Sequence, residues 1–278
     1  MRCEHLYAVP GGGGARLEYE SLFALGPLCG VDDPGAVLRA ATLCDSLGLD
    51  TISTGGTIAF LMDSAERGWL SDDRLPSGRR LRFGDGEAVL EAIAATVVRD
   101  GLGELIALGS RRAAERIGGD APRRAMHVKG LELPGYDPRR LPATALGFAV
   151  GTRGADHNRS GAYEADFSSA TDRERDGLTI AAAAIATEDK AALIDSLILC
   201  KFLRGTLGDL FEESATMLSA VTGWDVTAEE LREVARRIVT VRRGFNEREG
   251  WTRAEDTLPP ALLESGGTLT AAGLERRI

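Results

Sequence analysis

The sequence predicts a mainly α-helical protein built from two helical domains. Three observations carry this reading. Apolar residues recur at helical spacing in one segment after another, caps and glycines bracket those segments, and no run alternates apolar with polar residues over the length of a sheet. The 278 residues, 44% of them apolar, suffice for one large domain or two medium ones with real cores. A net charge of -9, with Arg supplying nearly all the positive side chains, argues against a general nucleic-acid role. No apolar run is long enough to span a membrane. The start, MRCEHLYAVP, does not resemble a signal peptide, so a cytoplasmic setting is expected.

The elements follow in order. Residues 1–18 read as irregular, with a mobile loop at Gly11 to Gly14. Residues 19–29 form a short apolar segment opened by Glu20. Asp32-Asp33-Pro34 supplies a cap and a first-turn proline for a helix whose inward face is Val37, Ala40, Ala41, Cys44 and Leu47. Gly48 suits the left-handed position that stops it. The next helix starts at Ser53 or Thr54 and ends at Gly68. Residues 71–80 are a polar loop. Asp85-Gly86 opens a helix over 86–98 with Val89, Leu90, Ile93 and Val97 inward, and glycines separate two short helices, 101–108 and 109–117.

A composition break at 119–125, GDAPRRA, marks the expected domain boundary, giving domains 1–125 and 126–278. Residues 127–138 hold two prolines and two glycines and read as a shaped loop. Residues 142–151 are a buried apolar segment, 161–176 an acidic irregular one, and 179–203 a long helical region with a break near Thr187. A helix over 207–220 is followed by a packed Trp224. Thr227 and Glu230 form a capping box for a helix running to about Asn246, with Leu231, Val234, Ile238 and Val241 inward. The tail is loop-like, with a last helix from about Thr270.

The stretch 43–56, LCDSLGLDTISTGG, concentrates the polar chemistry. Asp45 stands among Leu43, Leu47 and Leu49, and Asp50 follows five residues on, beyond Gly48. Asp195-Ser-Leu-Ile-Leu-Cys200 repeats the frame. A carboxylate among apolar residues needs compensation, which an N–H-rich edge such as an aminopyrimidinone supplies. Two such acids then hold one heterocycle each; alternatively, both accept backbone N–H groups and cap structure. His157 lies in the polar run DHNR, either as a structural hydrogen-bonding residue or as a proton carrier. Glu20 is either a solvated acid or cap, or a buried acid whose pKa is raised toward neutrality. Cys3, Cys29, Cys44 and Cys200 form no CxxC pair. An iron–sulfur cluster takes four thiolates, so a complete one is not expected from this chain alone.

Taken together, YESLFALG (19–26), LCDSLGLDTISTGGTIAF (43–60), GLGELIALG (101–109), HVKGLELPGYDPR (127–139), TRGADH (152–157), DSLILCKF (195–202) and FNEREGWTRAEDTLP (245–259) resemble the second and third, helical, domains of the tungsten- or molybdenum-containing aldehyde ferredoxin oxidoreductases. The resemblance implies a metal held by two pterin cofactors (a bis-pterin tungsten or molybdenum centre) beside a 4Fe–4S cluster. It implies oxidation of a small aldehyde to a carboxylic acid, with electrons passing to a ferredoxin-like acceptor. It assigns pterin binding to Asp45, Gly48, Leu49 and Asp50 in the first motif and to Asp195 and Leu199 in the second. Cys3 and Cys200 are implied as cluster ligands, and Glu20 and His157 as the acid and histidine near the metal.

The departures from that pattern are specific. The family's β-rich first domain is absent from these 278 residues, and only Cys3 remains of its CxxCxxxC motif. Asp156 stands where a cysteine is expected, and Ile198 stands where the second pterin motif has glycine, which bears on the tight turn there. Three explanations follow. A partner polypeptide supplies the first domain and the other cysteines; the chain is a fragment; or the domain pair is a cofactor-free interaction or scaffold protein. The first two make it a component of an enzyme, inactive alone.

Overall fold

The computed structural model describes residues 4–8, 14–168, 177–203 and 206–264. Cys3, Gly11 to Gly13 and the tail helix expected from Thr270 lie outside the described residues. The chain forms two compact units, Met1–Tyr136 with Leu258–Ser265, and Asp137–Thr257 with Gly266–Ile278. The composition break at 119–125 falls within the first. Both are mainly helical, as the sequence predicts, and among the described residues the strands form only two short hairpins.

The first unit opens with an antiparallel hairpin, β1 (Glu4–Ala8) and β2 (Gly14–Glu18), where an irregular segment is expected. Its register runs from Glu4 opposite Glu18 to Ala8 opposite Gly14. In β2, exposed Arg16 and buried Leu17 follow the two-residue period of a strand, too briefly for the sequence to announce it. Then come α1 (Tyr19–Leu25), α2 (Pro34–Leu47), α3 (Thr51–Glu66), α4 (Gly86–Val98), α5 (Leu102–Ala107), α6 (Gly109–Ile117) and α7 (Ala121–Arg124). The shaped segment after them holds the hairpin β3 (His127–Val128) and β4 (Leu131–Glu132).

Local signals fix several boundaries. The Asp33 side chain accepts from the Gly35 amide at the start of α2, with Pro34 in its first turn. Gly48 ends α2 at φ +69°. Helix α3 begins earlier than Ser53, because Asp50 is its cap and accepts the Ser53 amide at 2.7 Å. The core of this unit contains Leu25, Ile58, Leu61, Met62, Leu81, Val89 and Ile93. Val97 is not part of it; it is 51% exposed in the last turn of α4.

Helix α3 is glycine-bearing where it meets α1. A Cβ on Gly55 would lie 2.3 Å from the Ala24 carbonyl oxygen, so only glycine allows this approach. The Cys29 thiol bonds the same Ala24 carbonyl at 3.3 Å. This contact sets the end of α1 against the first turns of α3.

The second unit contains α8 (Pro142–Val150), α9 (His157–Ser160), α10 (Tyr163–Phe167), α11 (Gly177–Ser196), α12 (Leu210–Thr222) and α13 (Ala228–Arg248). The 161–176 segment is thus partly helical, in α10. Helix α11 continues through Thr187, whose hydroxyl bonds the Ala184 carbonyl at 2.9 Å instead of breaking the helix. The capping box of Thr227 and Glu230 is formed. Two core expectations fail: Trp224 is 63% exposed and Val241 62%, because the core of Leu193, Phe211, Ala215, Leu231 and Ala235 closes without them. The last described helix, α14 (Pro260–Glu264), packs in the first unit on α7, where Glu264 pairs with Arg123. Among the described residues, no helix is long and apolar enough to cross a membrane.

Candidate functional site

In the first unit, α2 closes on a turn in which the Gly48 amide bonds the Asp45 carbonyl at 3.3 Å and the Leu49 amide reaches back to the Cys44 carbonyl at 2.9 Å. This paired return is the Schellman arrangement that a left-handed residue permits. Asp45 is exposed, not enclosed by Leu43, Leu47 and Leu49 as the sequence suggests, because Cys44 takes the inward position on the helix. Its carboxylate has no hydrogen bond or ion pair among the described residues. The space over Gly48 is open: among the described residues, its two chain neighbours aside, nothing lies within 4 Å of where a Cβ would stand. Leu49 is half-buried below the turn.

Glu20 sits in the first turn of α1. Its Oε2 accepts the Gly135 amide at 2.8 Å, and the neighbouring Tyr19 hydroxyl donates to the Gly135 carbonyl at 2.8 Å. Two consecutive side chains therefore grip one residue's backbone in the PGYDP segment. Gly135 is fixed by space: a Cβ there would stand 3.0 Å from both Phe23 Cγ and the Tyr19 hydroxyl. Burial pushes the Glu20 carboxyl above its ordinary range; the Gly135 N–H opposes this, and the charges of Asp50 and Glu18 add to it. Asp50 and Glu20 are thus electrostatic neighbours. The Ser21 and Thr51 hydroxyls, 3.0 Å apart, join the same two helices, α1 and α3, at their starts.

Within the second unit, α11 ends on a turn of the same design. The Ile198 amide bonds the Asp195 carbonyl at 3.3 Å, and the Leu199 amide reaches the Ile194 carbonyl at 3.0 Å. The left-handed position is held by Ile198 at φ +56°, with its side chain 91% exposed. A β-branched residue here occupies the position that Gly48 holds in the first turn, at a cost of about 1–2 kcal/mol. Asp195 also differs from Asp45. Its Oδ2 takes the Arg159 guanidinium at 2.5 Å, and Lys201 lies 3.6 Å from Oδ1. Leu199 is half-buried, and Leu199, Cys200 and Lys201 line a cavity of about 260 Å³ together with Lys190 and Ile194.

His157 is the first residue of α9, half-buried, with its ring 6.0 Å from that of Tyr163. Asp156, in the position expected for a cysteine, is the cap of this helix. It accepts the Asn158 and Arg159 amides at 2.8 and 3.0 Å and pairs with Arg153 at 2.7 Å. The α9 turn thereby carries both His157 and the Arg159 that holds Asp195.

Cys29 and Cys44 are buried thiols, each pushed up to about 12 chiefly by burial, and neither is available as a thiolate ligand. Cys200 is exposed. Among the described residues, no group of three or more His, Cys, Asp or Glu side chains is placed to hold a metal ion. The described residues therefore do not complete a four-thiolate cluster. The first turn does fit an N–H-rich heterocycle, through its open glycine and unengaged acid.

Several residues of these sites escape sequence reasoning. Tyr19, Gly135, Arg159 and Lys201 matter through contacts across long separations, which no local pattern announces. Glu132 is another. It is 3% exposed, and its Oε1 accepts from the Ser110 amide and hydroxyl, both at 2.7 Å, and from Thr57 at 3.3 Å, capping the start of α6 from a distance.

A family model described as aldehyde ferredoxin oxidoreductase, domains 2 & 3, matches residues 1–275. The tungsten-containing aldehyde ferredoxin oxidoreductase of Pyrococcus furiosus is 38% identical over 257 residues, covering 89% of this chain and 41% of the relative. Its namesake in Thermococcus kodakarensis is also 38% identical, with the same coverage. The WOR-like subunit of an aliphatic sulfonate oxidoreductase from Pyrococcus furiosus is 29% identical over 259 residues, covering 89% of this chain and 38% of that subunit. Among solved structures, the active-site complex BamBC of benzoyl coenzyme A reductase with 1,5-dienoyl-CoA aligns at a TM-score of 0.81 and 19% identity, over 99% of this chain and 47% of that chain. This last likeness is one of fold. The chain spans about 41% of the length of the first curated relatives it matches.

Proposed function

Because the chain belongs to the aldehyde ferredoxin oxidoreductase family, matching its domains 2 and 3, we propose that it is a component of an enzyme that oxidises an aldehyde to a carboxylic acid. The observation that carries this reading is the first acid-led turn, where an unengaged Asp45 and an open Gly48 stand at the end of α2 and Asp50 lies beside the raised carboxyl of Glu20. A pterin-held tungsten or molybdenum centre, when bound, supplies the two-electron acceptor for the aldehyde. Oxidation with water releases two protons and two electrons for each carboxylic acid formed.

The chain's own residues have distinct parts in this reading. Asp45 accepts N–H donors of the pterin edge, Gly48 leaves room over the backbone, and Leu49 and Asp50 hold the turn between α2 and α3. Asp195 and Leu199 form the second acid-led turn. Glu20, with its pKa raised by burial, holds or releases a proton closer to neutral pH than an ordinary glutamate. His157 is the second proton carrier. Cys200 is a cluster ligand, with Cys3 and a partner polypeptide or further segment supplying the rest. A ferredoxin-like protein accepts the electrons. The setting is cytoplasmic, where Cys29, Cys44 and Cys200 stay reduced.

A second reading, a cofactor-free interaction protein, has one observation in its favour: Asp195 is already neutralised by Arg159 and Lys201. Aldehyde-dependent reduction of a viologen dye by the chain isolated with its native partners tests between the two. Activity that falls at least tenfold in Glu20→Gln supports the enzyme reading; absence of activity in a complex of complete composition removes it.

A further inference from the structure

We propose that the two acid-led turns are unequal, the first accepting an aminopyrimidinone ring and the second, as built in this chain, accepting it at least tenfold more weakly. This deepens the proposed function and rests on it. The backbones of the two turns match. In each, the left-handed residue donates to the acid's carbonyl at 3.3 Å, and the following leucine reaches back five residues, at 2.9 Å from Leu49 and 3.0 Å from Leu199. The difference lies in what stands over them.

Over the first turn there is space, since among the described residues, Gly48's two chain neighbours aside, no atom lies within 4 Å of a Cβ position on Gly48. A flat ring can lie against that peptide with its N–H edge toward Asp45. Over the second turn the corresponding volume holds the sec-butyl group of Ile198, which projects outward, 91% exposed. A ring approaching Asp195 from that side meets the side chain before the peptide.

The acids differ as well. Asp45 has no competing partner among the described residues. Asp195 is held by Arg159 at 2.5 Å, with Lys201 at 3.6 Å, and Lys201 is itself anchored on the Asn158 carbonyl. Arg242 adds a third cation near Asp195 and Arg159. A neutral heterocycle must displace an ion pair, charged on both sides, to gain a hydrogen bond charged on the carboxylate side alone, which is an unfavourable exchange. The bulk at residue 198 and the pairing at Asp195 are separate features, and both disfavour the same ligand at the same turn.

Equilibrium titration of the full chain with 6-carboxypterin, followed by pterin fluorescence, tests the inequality. The expected result is one equivalent per chain, weakened at least tenfold in Asp45→Asn. The double variant Ile198→Gly/Arg159→Gln should gain a second equivalent, with circular dichroism confirming that both variants fold. Two equivalents of similar affinity in the unaltered chain would overturn the inequality but leave the proposed function standing. One equivalent that survives Asp45→Asn would place the ring elsewhere and overturn it. No binding in any variant would remove both the inequality and the pterin reading on which it rests.

Discussion

The Gly135 amide donates a 2.8 Å hydrogen bond to Glu20, a residue 115 positions earlier in the chain. This bond and burial act on the carboxyl in opposite senses, and burial wins. A folded-state pKa raised above the ordinary value near 4.5 gives stability that is complete below that value and lost as pH rises through the folded pKa. Glu20→Gln keeps an oxygen to accept from Gly135 and removes the titration. Its unfolding free energy should therefore change less between pH 4 and pH 8 than that of the unaltered chain, as measured by urea denaturation.

Glu188 gives a sharper pH signature. Burial, aided by Asp189 and opposed by Arg242, pushes its carboxyl up to about 7. Its protonated form stabilises the fold fully below about 4.5, and that contribution disappears as pH rises through about 7. Glu188→Gln should raise stability by about 1–2 kcal/mol at pH 8 and leave it nearly unchanged at pH 4, allowing for partial solvent screening. Urea denaturation at the two values checks the difference.

Gly55 sets the spacing on which the first site depends. A Cβ at this position would stand 2.3 Å from the Ala24 carbonyl oxygen, so Gly55→Ala forces α1 away from α3. The expected loss is about 2–3 kcal/mol, at the upper end of overpacking costs, seen as a lower denaturation midpoint.

Ile198 carries a conformation that glycine adopts without strain. Ile198→Gly should stabilise the chain by about 0.5–1 kcal/mol, the relief of left-handed strain being partly offset by greater freedom in the unfolded chain. Little burial is lost, since the side chain is 91% exposed. Thermal unfolding should shift upward by about 1–4 °C.

What the sequence makes legible is local chemistry. Asp33-Pro34, Gly48 and the Thr227–Glu230 box act within a few residues of themselves, and each bounds a helix as read. The direction of a helix face is less legible, because it depends on neighbours distant in sequence. Val97 and Val241 continue an apolar stripe beyond the reach of the core and remain exposed. The N-terminal hairpin is too short to show a period. Asp50 is legible as an acid in the right motif, yet its capping of α3 is set by where the helix starts. The grip of Tyr19 and Glu20 on Gly135, and of Arg159 on Asp195, joins segments whose proximity only the fold creates.

As proposed above, this chain contributes to a pterin-held tungsten or molybdenum centre beside an iron–sulfur cluster. Elemental analysis of the complex isolated from its native source through this chain tests it most directly. Tungsten or molybdenum should co-purify with about four iron atoms for each such metal. A homogeneous native complex containing neither tungsten nor molybdenum would contradict it.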